Sequence, residues 1–206
     1  MSCEPAARPS FNDCVIGRPY CGRLSGRTER GAQMTGNRSG GVRILGSLGS
    51  VDGFGTVMIE DRLDADIEDV WSALTEHGRL ARWYGEIEGE LRVGGAFRTR
   101  VHASGWEGTS RVEACESPRR LLVVSKDPDE PIEDSTEVTL TGDGDQTVLV
   151  VEQRGLPLDL LWAYGAGLQI HVEDLAAHIA GRERDITETR FDELKPVYED
   201  LATNIS

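Results

Sequence analysis

From about residue 55, hydrophobic and polar residues alternate along this chain; near residue 66 the hydrophobic residues recur at helical spacing, and after about residue 86 they alternate again. The segment GTVMIEDRL, which begins at Gly55, predicts a first β-strand. Asp66 is placed to cap a following helix, whose apolar residues share one face: Ile67, Val70, Trp71 and Leu74. Because that face must be buried, this helix is predicted to pack against the rest of the domain.

A second short helix and a run of strands are predicted next. Leu80, Trp83 and Tyr84 lie on or just after this helix, and Gly94-Gly95 supplies a tight turn into the strand that follows. Six segments follow in which apolar and polar residues alternate, and turn residues separate them: EIEGEL, AFRTRVH, EGTSRVEAC, RLLVVSK, STEVTLTG and QTVLVVEQR. The turn Gly142–Asp145 predicts that the last two form a hairpin.

After Pro157 the spacing predicts one long helix. Its apolar stripe covers more than six turns: Leu158, Leu161, Gly165, Leu168, Val172, Leu175 and Ile179. Gly181 is the predicted C-cap. A last amphipathic helix is predicted from about Thr187 to Ala202, and Pro196 is expected to bend or interrupt it.

This order of elements predicts an α+β fold. Consecutive strands favour an antiparallel sheet with the helices segregated to one side. Glycines in and between the strands allow strong curvature, and one long helix packed across a curved sheet often leaves a cavity between them.

The first fifty residues have a different composition. Gly, Pro, Ser and Arg make up half of residues 1–50, with no apolar periodicity. Such a segment buries too little surface to offset its chain entropy, so a disordered tail without function is predicted. Alternatively, the natural chain begins at Met34, and the residues before it are not part of the protein. Three of the four cysteines lie in this segment and form no C-x-x-C pair, so the thiols are interpreted as reduced and incidental.

The charge distribution excludes some partners. Residues 1–50 carry a net charge of +4 and the remainder −18. The strongly acidic part of the chain after residue 50 repels phosphate backbones and anionic lipids, which argues against nucleic acid and membrane partners. No apolar run approaches the roughly 18 residues of a membrane helix. A soluble, cytoplasmic protein is therefore predicted.

Several motifs together resemble one superfamily. They are VWSALTEHGRLARWYG, LRVGGAF and EGTSRVEACESPRRLLV, which carry Val70-Trp71, the pair Leu80 and Trp83, Gly94-Gly95 and the turn from Pro118 to Leu121. The set is similar to the START-like (SRPBCC, helix-grip) superfamily, and most similar to proteins related to the C-terminal domain of the activator of heat-shock-protein-90 ATPase. Leu168 stands where a tryptophan is common in that family.

The resemblance covers roughly residues 55–181. It implies a helix-grip fold: a curved antiparallel sheet, two short helices after the first strand, and a long C-terminal helix across the sheet. The predicted organisation is a tail at 1–50, a START-like domain at 51–183, and a helical extension at 184–206.

No constellation of catalytic residues is visible in the sequence. No serine lies in a nucleophile elbow, and no glycine-rich loop follows a strand as a phosphate site requires. His171 and His178 are seven residues apart on the long helix, about 10 Å along its axis, which is too far for one metal ion. These histidines and Asp174 are interpreted as solvent-facing neighbours of the apolar stripe. No metal and no cofactor are predicted.

The aromatic residues are the best candidates for a site. Pocket walls are mainly apolar and aromatic, although simple core packing is the alternative for each residue. The predicted cavity residues are Trp83, Tyr84, Phe97, Trp106, Trp162 and Leu168. Arg98, Arg100 and Arg111 are polar anchors if their strand face points inward, and form a solvated outer face otherwise.

Three functions follow as hypotheses. The first is a noncatalytic binding protein that holds a small hydrophobic molecule between sheet and long helix. The second, since some START-like relatives are aromatase or cyclase proteins, is a polyketide aromatase/cyclase-like enzyme. The third, suggested by the family name, is a co-chaperone-like protein with a chaperone as partner.

Overall fold

A computed structural model describes residues 43–126 and 133–205. The predictions of a disordered tail up to residue 42, of a start at Met34 and of reduced cysteines in that tail concern residues outside this part. Most of the acidic loop before β7 lies outside it too. Cys115, on a strand, is exposed and carries a free thiol.

The described chain forms eight strands and four α-helices. The helices are α1 (Ile67–Thr75), α2 (His77–Trp83), α3 (Leu161–Ile179), which follows a 3₁₀ turn at Leu158–Leu160, and α4 (Thr187–Ala202). The strands are β1 (Gly46–Val51), β2 (Phe54–Leu63), β3 (Gly85–Gly89), β4 (Ala96–Val101), β5 (Glu107–Glu116), β6 (Arg120–Lys126), β7 (Glu133–Asp143) and β8 (Gln146–Leu156).

All eight strands belong to one antiparallel sheet, in the order β1-β2-β8-β7-β6-β5-β4-β3. The two short helices follow β2, and α3 packs across the sheet against β1 and β2. The predicted α+β helix-grip fold is confirmed, as are the six strands that follow the short helices. The hairpin of β7 and β8 turns at Gly144, whose φ is +64°.

The structure corrects the predicted N-terminal boundary of the domain. β1 begins at Gly46, inside the segment that was predicted to be a tail up to residue 50, and pairs with β2. Its sequence GSLGSV has no alternation to reveal a strand, because its glycines make room for other groups. A Cβ on Gly46 would lie 2.3 Å from the hydroxyl oxygen of Tyr198.

The predicted helix ends agree with the structure. The Asp66 side chain accepts a hydrogen bond of 2.9 Å from the backbone N–H of Asp69. Gly181 follows α3 with a φ of +63°, a backbone conformation that favours glycine. Pro196 does not interrupt α4, which continues from Thr187 to Ala202. None of the helices in the two described ranges is both long enough and apolar enough to cross a membrane.

Helix α3 is buried on more sides than its predicted single stripe. Besides facing the sheet, it contacts α4 through a second hydrophobic cluster: Ala163, Ala166, Ile170, Phe191, Leu194 and Tyr198. The Tyr198 hydroxyl donates a 2.7 Å hydrogen bond to Oε1 of Gln169, and both side chains are fully buried. The C-terminal extension therefore forms part of the same packed unit as α3.

Candidate functional site

A cavity of about 490 Å³ lies between the inner face of the sheet and α3. One wall comes from alternate residues of β4 to β8, and another from α2 and the residue that follows it. The third wall is one face of α3, which consists of Ala163, Tyr164, Gly167, Leu168, His171, Val172 and Leu175. This volume falls within the range of small-molecule sites in proteins.

Strand alternation decides which side chains of β4 reach the cavity. Phe97, Thr99 and Val101 point inward and line it. Arg98 and Arg100 lie on the opposite, exposed face. Arg111 on β5 is also exposed and forms an ion pair of 3.1 Å with Glu133. The hypothesis that these arginines anchor a ligand is therefore wrong, and the alternative of a solvated outer face is correct.

Most of the predicted cavity residues lie together in the structure. The five that line the cavity are Trp83, Tyr84, Phe97, Trp106 and Leu168. Trp162 does not line it, because on α3 it shares a face with Ala166 and Ile170, four and eight residues on, and this face is covered by α4. The ring centre of Trp162 lies 6.1 Å from that of Phe191.

Two tryptophans shape the cavity in different ways. Trp83 is 5% exposed, and its indole N–H donates a 3.0 Å hydrogen bond to the carbonyl of Ala73, which fixes α2 against α1. The indole of Trp106 covers Gly108, where a Cβ would lie 2.1 Å from the ring. Trp83 is thus mainly a structural part of the wall, while the position of Trp106 depends on a neighbouring glycine.

A few polar groups interrupt the apolar lining. The hydroxyl groups of Ser110 and Ser125 lie 2.9 Å apart, and the Gln153 amide donates to the Asp134 carboxylate over 3.3 Å. Tyr84 also lines the cavity. Burial and the charge of Asp134 raise the pKa of Tyr84 to about 12, so its phenol is neutral near pH 7.

His171 is the polar cavity residue that the sequence interpretation missed. It was interpreted as facing solvent, but its ring lines the cavity and makes an edge contact with Tyr84, with the ring centres 5.4 Å apart. Burial, helped by the positive charge of Arg184, lowers its pKa to about 4. The sequence spacing could have predicted this position: His171 follows Leu168 by three residues and Tyr164 by seven, so all three lie on one face of the helix.

A family model describes most of the folded chain. The model for activator of Hsp90 ATPase homolog 1-like protein matches residues 64–180, which include α1, the strands that line the cavity, and α3. This chain belongs to that family. The predicted resemblance is therefore confirmed.

Solved structures of similar proteins show the same fold. The crystal structure of CalU16 from Micromonospora echinospora is 26% identical, with a TM-score of 0.65, and the match covers 77% of this chain and 98% of that one. Its solution NMR structure is 25% identical, with the same TM-score, over 81% and 98% of the two chains. DynU16, a protein in the dynemicin biosynthetic locus, is 25% identical, with a TM-score of 0.58, over 66% of this chain and 51% of its own. A search of curated proteins gave no match.

The other histidines of this protein lie outside the cavity. Nε2 of His77 is 3.3 Å from the carbonyl oxygen of Gly89, and Nε2 of His102 is 3.1 Å from that of Ala81. His178 lies beside Arg79, and burial lowers its pKa. Within residues 43–126 and 133–205, no three His, Cys, Asp or Glu side chains are grouped so that they could hold a metal ion.

Proposed function

We propose that this protein binds a small hydrophobic molecule in the cavity between the sheet and α3. The observation that carries the proposal is the cavity itself, whose volume of about 490 Å³ is enclosed mainly by apolar and aromatic side chains. Burying apolar surface contributes roughly 25 cal/mol per Å², so a cavity of this kind favours an apolar occupant over water.

The relatives support a small-molecule role. CalU16 has the same fold over nearly its whole length, and DynU16 belongs to a biosynthetic locus. A ligand that is a small organic molecule agrees with both the cavity volume and these neighbours. The co-chaperone alternative and the cytoplasmic location stay predictions, the former resting on the family name.

An aromatase/cyclase-like enzyme is the second candidate. The observation that favours it is the imidazole of His171, a proton acceptor in the mainly apolar wall of the cavity. Its low pKa makes it a weak base, which favours ligand binding over proton transfer as its role. Turnover of a ketide-like substrate by the wild type, lost in His171→Leu, would decide for the enzyme.

The binding proposal predicts saturable, one-to-one binding of an apolar fluorescent probe such as Nile red to the full chain. Trp106→Leu removes an aromatic wall of the cavity and should weaken binding about three- to tenfold, since aromatic contacts contribute about 0.5–1.5 kcal/mol beyond their area. Fluorescence titration measures the affinity, and native mass spectrometry gives the stoichiometry.

Trp162→Leu is the matched control, because Trp162 is on the cavity-forming helix α3 but does not line the cavity, and contacts its wall through Phe191. It should weaken probe binding much less than Trp106→Leu does. Equal losses in both variants, or no saturable binding to the wild type, would contradict the proposed function.

A further inference from the structure

His171 carries an unsatisfied polar atom next to the cavity. Its Nδ1 is buried and makes no hydrogen bond, and it is the one such side-chain atom found in residues 43–126 and 133–205. A buried polar group without a partner costs about 1–3 kcal/mol, so proteins rarely keep one without a functional reason. The His171 ring itself lines the cavity, so this part of the wall is where a polar group of a ligand is expected.

The neutral imidazole matches one kind of partner. A neutral ring has one N–H donor and one acceptor nitrogen, and a hydroxyl group offers the complementary pair. The rings of Tyr84 and His171 pack against each other in a T-shaped arrangement. The Tyr84 phenol is a second neutral group that can both donate and accept a hydrogen bond. Both side chains can therefore recognise a hydroxyl group without attracting an ion.

The charges around the cavity disfavour anionic ligands. Among the described residues that line it, none is Lys or Arg, whereas Asp134 and Asp159 are present. The arginines of β4 and β5 lie on the outer face of the sheet. Arg184, whose charge lowers the pKa of His171, is not a lining residue and pairs with Asp174 over 3.5 Å. A carboxylate or phosphate would therefore lose its hydration without contacting a cation of the lining, which is very costly in an apolar site.

Asp134 also does not provide a ready site for a cationic ligand. Its Oδ1 atom already accepts a hydrogen bond from the Gln153 amide. The aromatic and aliphatic residues that surround it favour a ligand whose main body is apolar.

We propose that the ligand is an uncharged molecule with an apolar body and a hydroxyl group, and that this hydroxyl group hydrogen-bonds to the imidazole of His171. This proposal rests on the proposed function, because it specifies the ligand of the same cavity. His171 acts as a binding residue that selects for the hydroxyl group.

A series of pyrene derivatives tests the proposal on the full chain. The four probes are pyrene, 1-hydroxypyrene, 1-pyrenecarboxylate and 1-pyrenemethylammonium, which share one apolar body and differ in the polar group. The wild type should bind 1-hydroxypyrene about three- to tenfold more tightly than pyrene, the gain expected from one hydrogen bond. It should bind the two charged probes at least about tenfold more weakly than 1-hydroxypyrene.

Two variants assign the preference to His171. His171→Leu should bind pyrene and 1-hydroxypyrene with nearly equal affinity, so that the wild-type preference is lost, whereas His171→Gln, which keeps a donor and an acceptor, should retain a preference. Thermal unfolding of both variants checks that they are folded. His178→Leu, on the same helix but outside the cavity, should behave as the wild type.

The outcomes separate this inference from the function on which it rests. If pyrene binds but all four probes bind equally, or a charged probe binds best, or His171→Leu keeps the hydroxyl preference, the inference is overturned and the binding function stands. If no probe binds, both fail.

Discussion

Asp174 is the second ionisable side chain of α3 that is buried where the sequence suggested exposure. Its residue is 4% exposed, and its carboxylate lies 3.5 Å from a guanidinium nitrogen of Arg184. Burial raises its pKa to about 6, and Arg184 opposes the shift only in part. The folded protein thus holds a proton on Asp174 at pH values where the unfolded chain has released it.

This shift predicts a pH dependence of stability. Between the ordinary pKa of 3.8 and about 6 the folded state binds more protons at Asp174, so the wild type loses stability as the pH rises through this window. Asp174→Asn lacks this effect. The free energy of unfolding of the wild type, relative to Asp174→Asn, should therefore fall by about 1–2 kcal/mol between pH 4.5 and pH 7.5.

Urea unfolding at the two pH values measures this difference. His171 titrates in the opposite sense, since its lowered pKa destabilises the fold as the pH falls from 6.5 towards 4. It is present in both proteins, so its contribution cancels in the comparison. A difference that stays constant with pH, or rises, would show that Asp174 does not titrate as its burial requires.

At the scale of elements, two glycines of α3 show how closely the helix is packed on one side and how open it is on another. A Cβ on Gly165 would lie 2.4 Å from the ring of Tyr198 on α4. A Cβ on Gly167, which lines the cavity, would meet no atom within 4 Å. The two positions are two residues apart and face α4 and the cavity respectively.

Alanine at these two glycines should therefore have opposite effects. Gly165→Ala should destabilise the protein by about 1–3 kcal/mol, because α4 must move to make room. Gly167→Ala should stabilise it by up to about 1 kcal/mol, because alanine favours a helix and nothing clashes. Chemical unfolding of the two variants measures both values. The same sign for both would contradict the packing of α4 against α3.

At the scale of the whole molecule, the fold was predictable because its signals are local and repeated. The alternation of apolar and polar residues predicted the six strands after the short helices, and Asp66 and Gly181 predicted helix ends. The family motifs then indicated the helix-grip arrangement of these elements. The strand β1 was not predictable in the same way. Gly46 makes room for Tyr198, more than 150 residues away in sequence, and no local pattern reveals this contact.

The site was predictable only in part, for a related reason. Phe97, Trp106 and Leu168, chosen from the sequence as aromatic or apolar cavity candidates, do line the cavity. Trp162 and His171 were misplaced because a helix that is covered on several sides has no single buried stripe. Which of its faces meets α4 and which meets the cavity depends on the docking of α4, a tertiary contact.

Blocking the cavity from within tests whether the ligand binds there. Gly167→Trp projects a large side chain into the cavity from a helix position where a Cβ has free space, so the fold should be retained. Gly78→Trp is the matched control, since Gly78 is also a helical glycine with free space but is exposed on α2 and outside the cavity.

The decisive measurement is the affinity for pyrene by isothermal titration calorimetry, with thermal unfolding recorded for each protein. We expect Gly167→Trp to unfold at or above the temperature of the wild type and to bind pyrene at least about tenfold more weakly, while Gly78→Trp binds as the wild type does. Unchanged affinity and stoichiometry in a folded Gly167→Trp protein would contradict binding in this cavity.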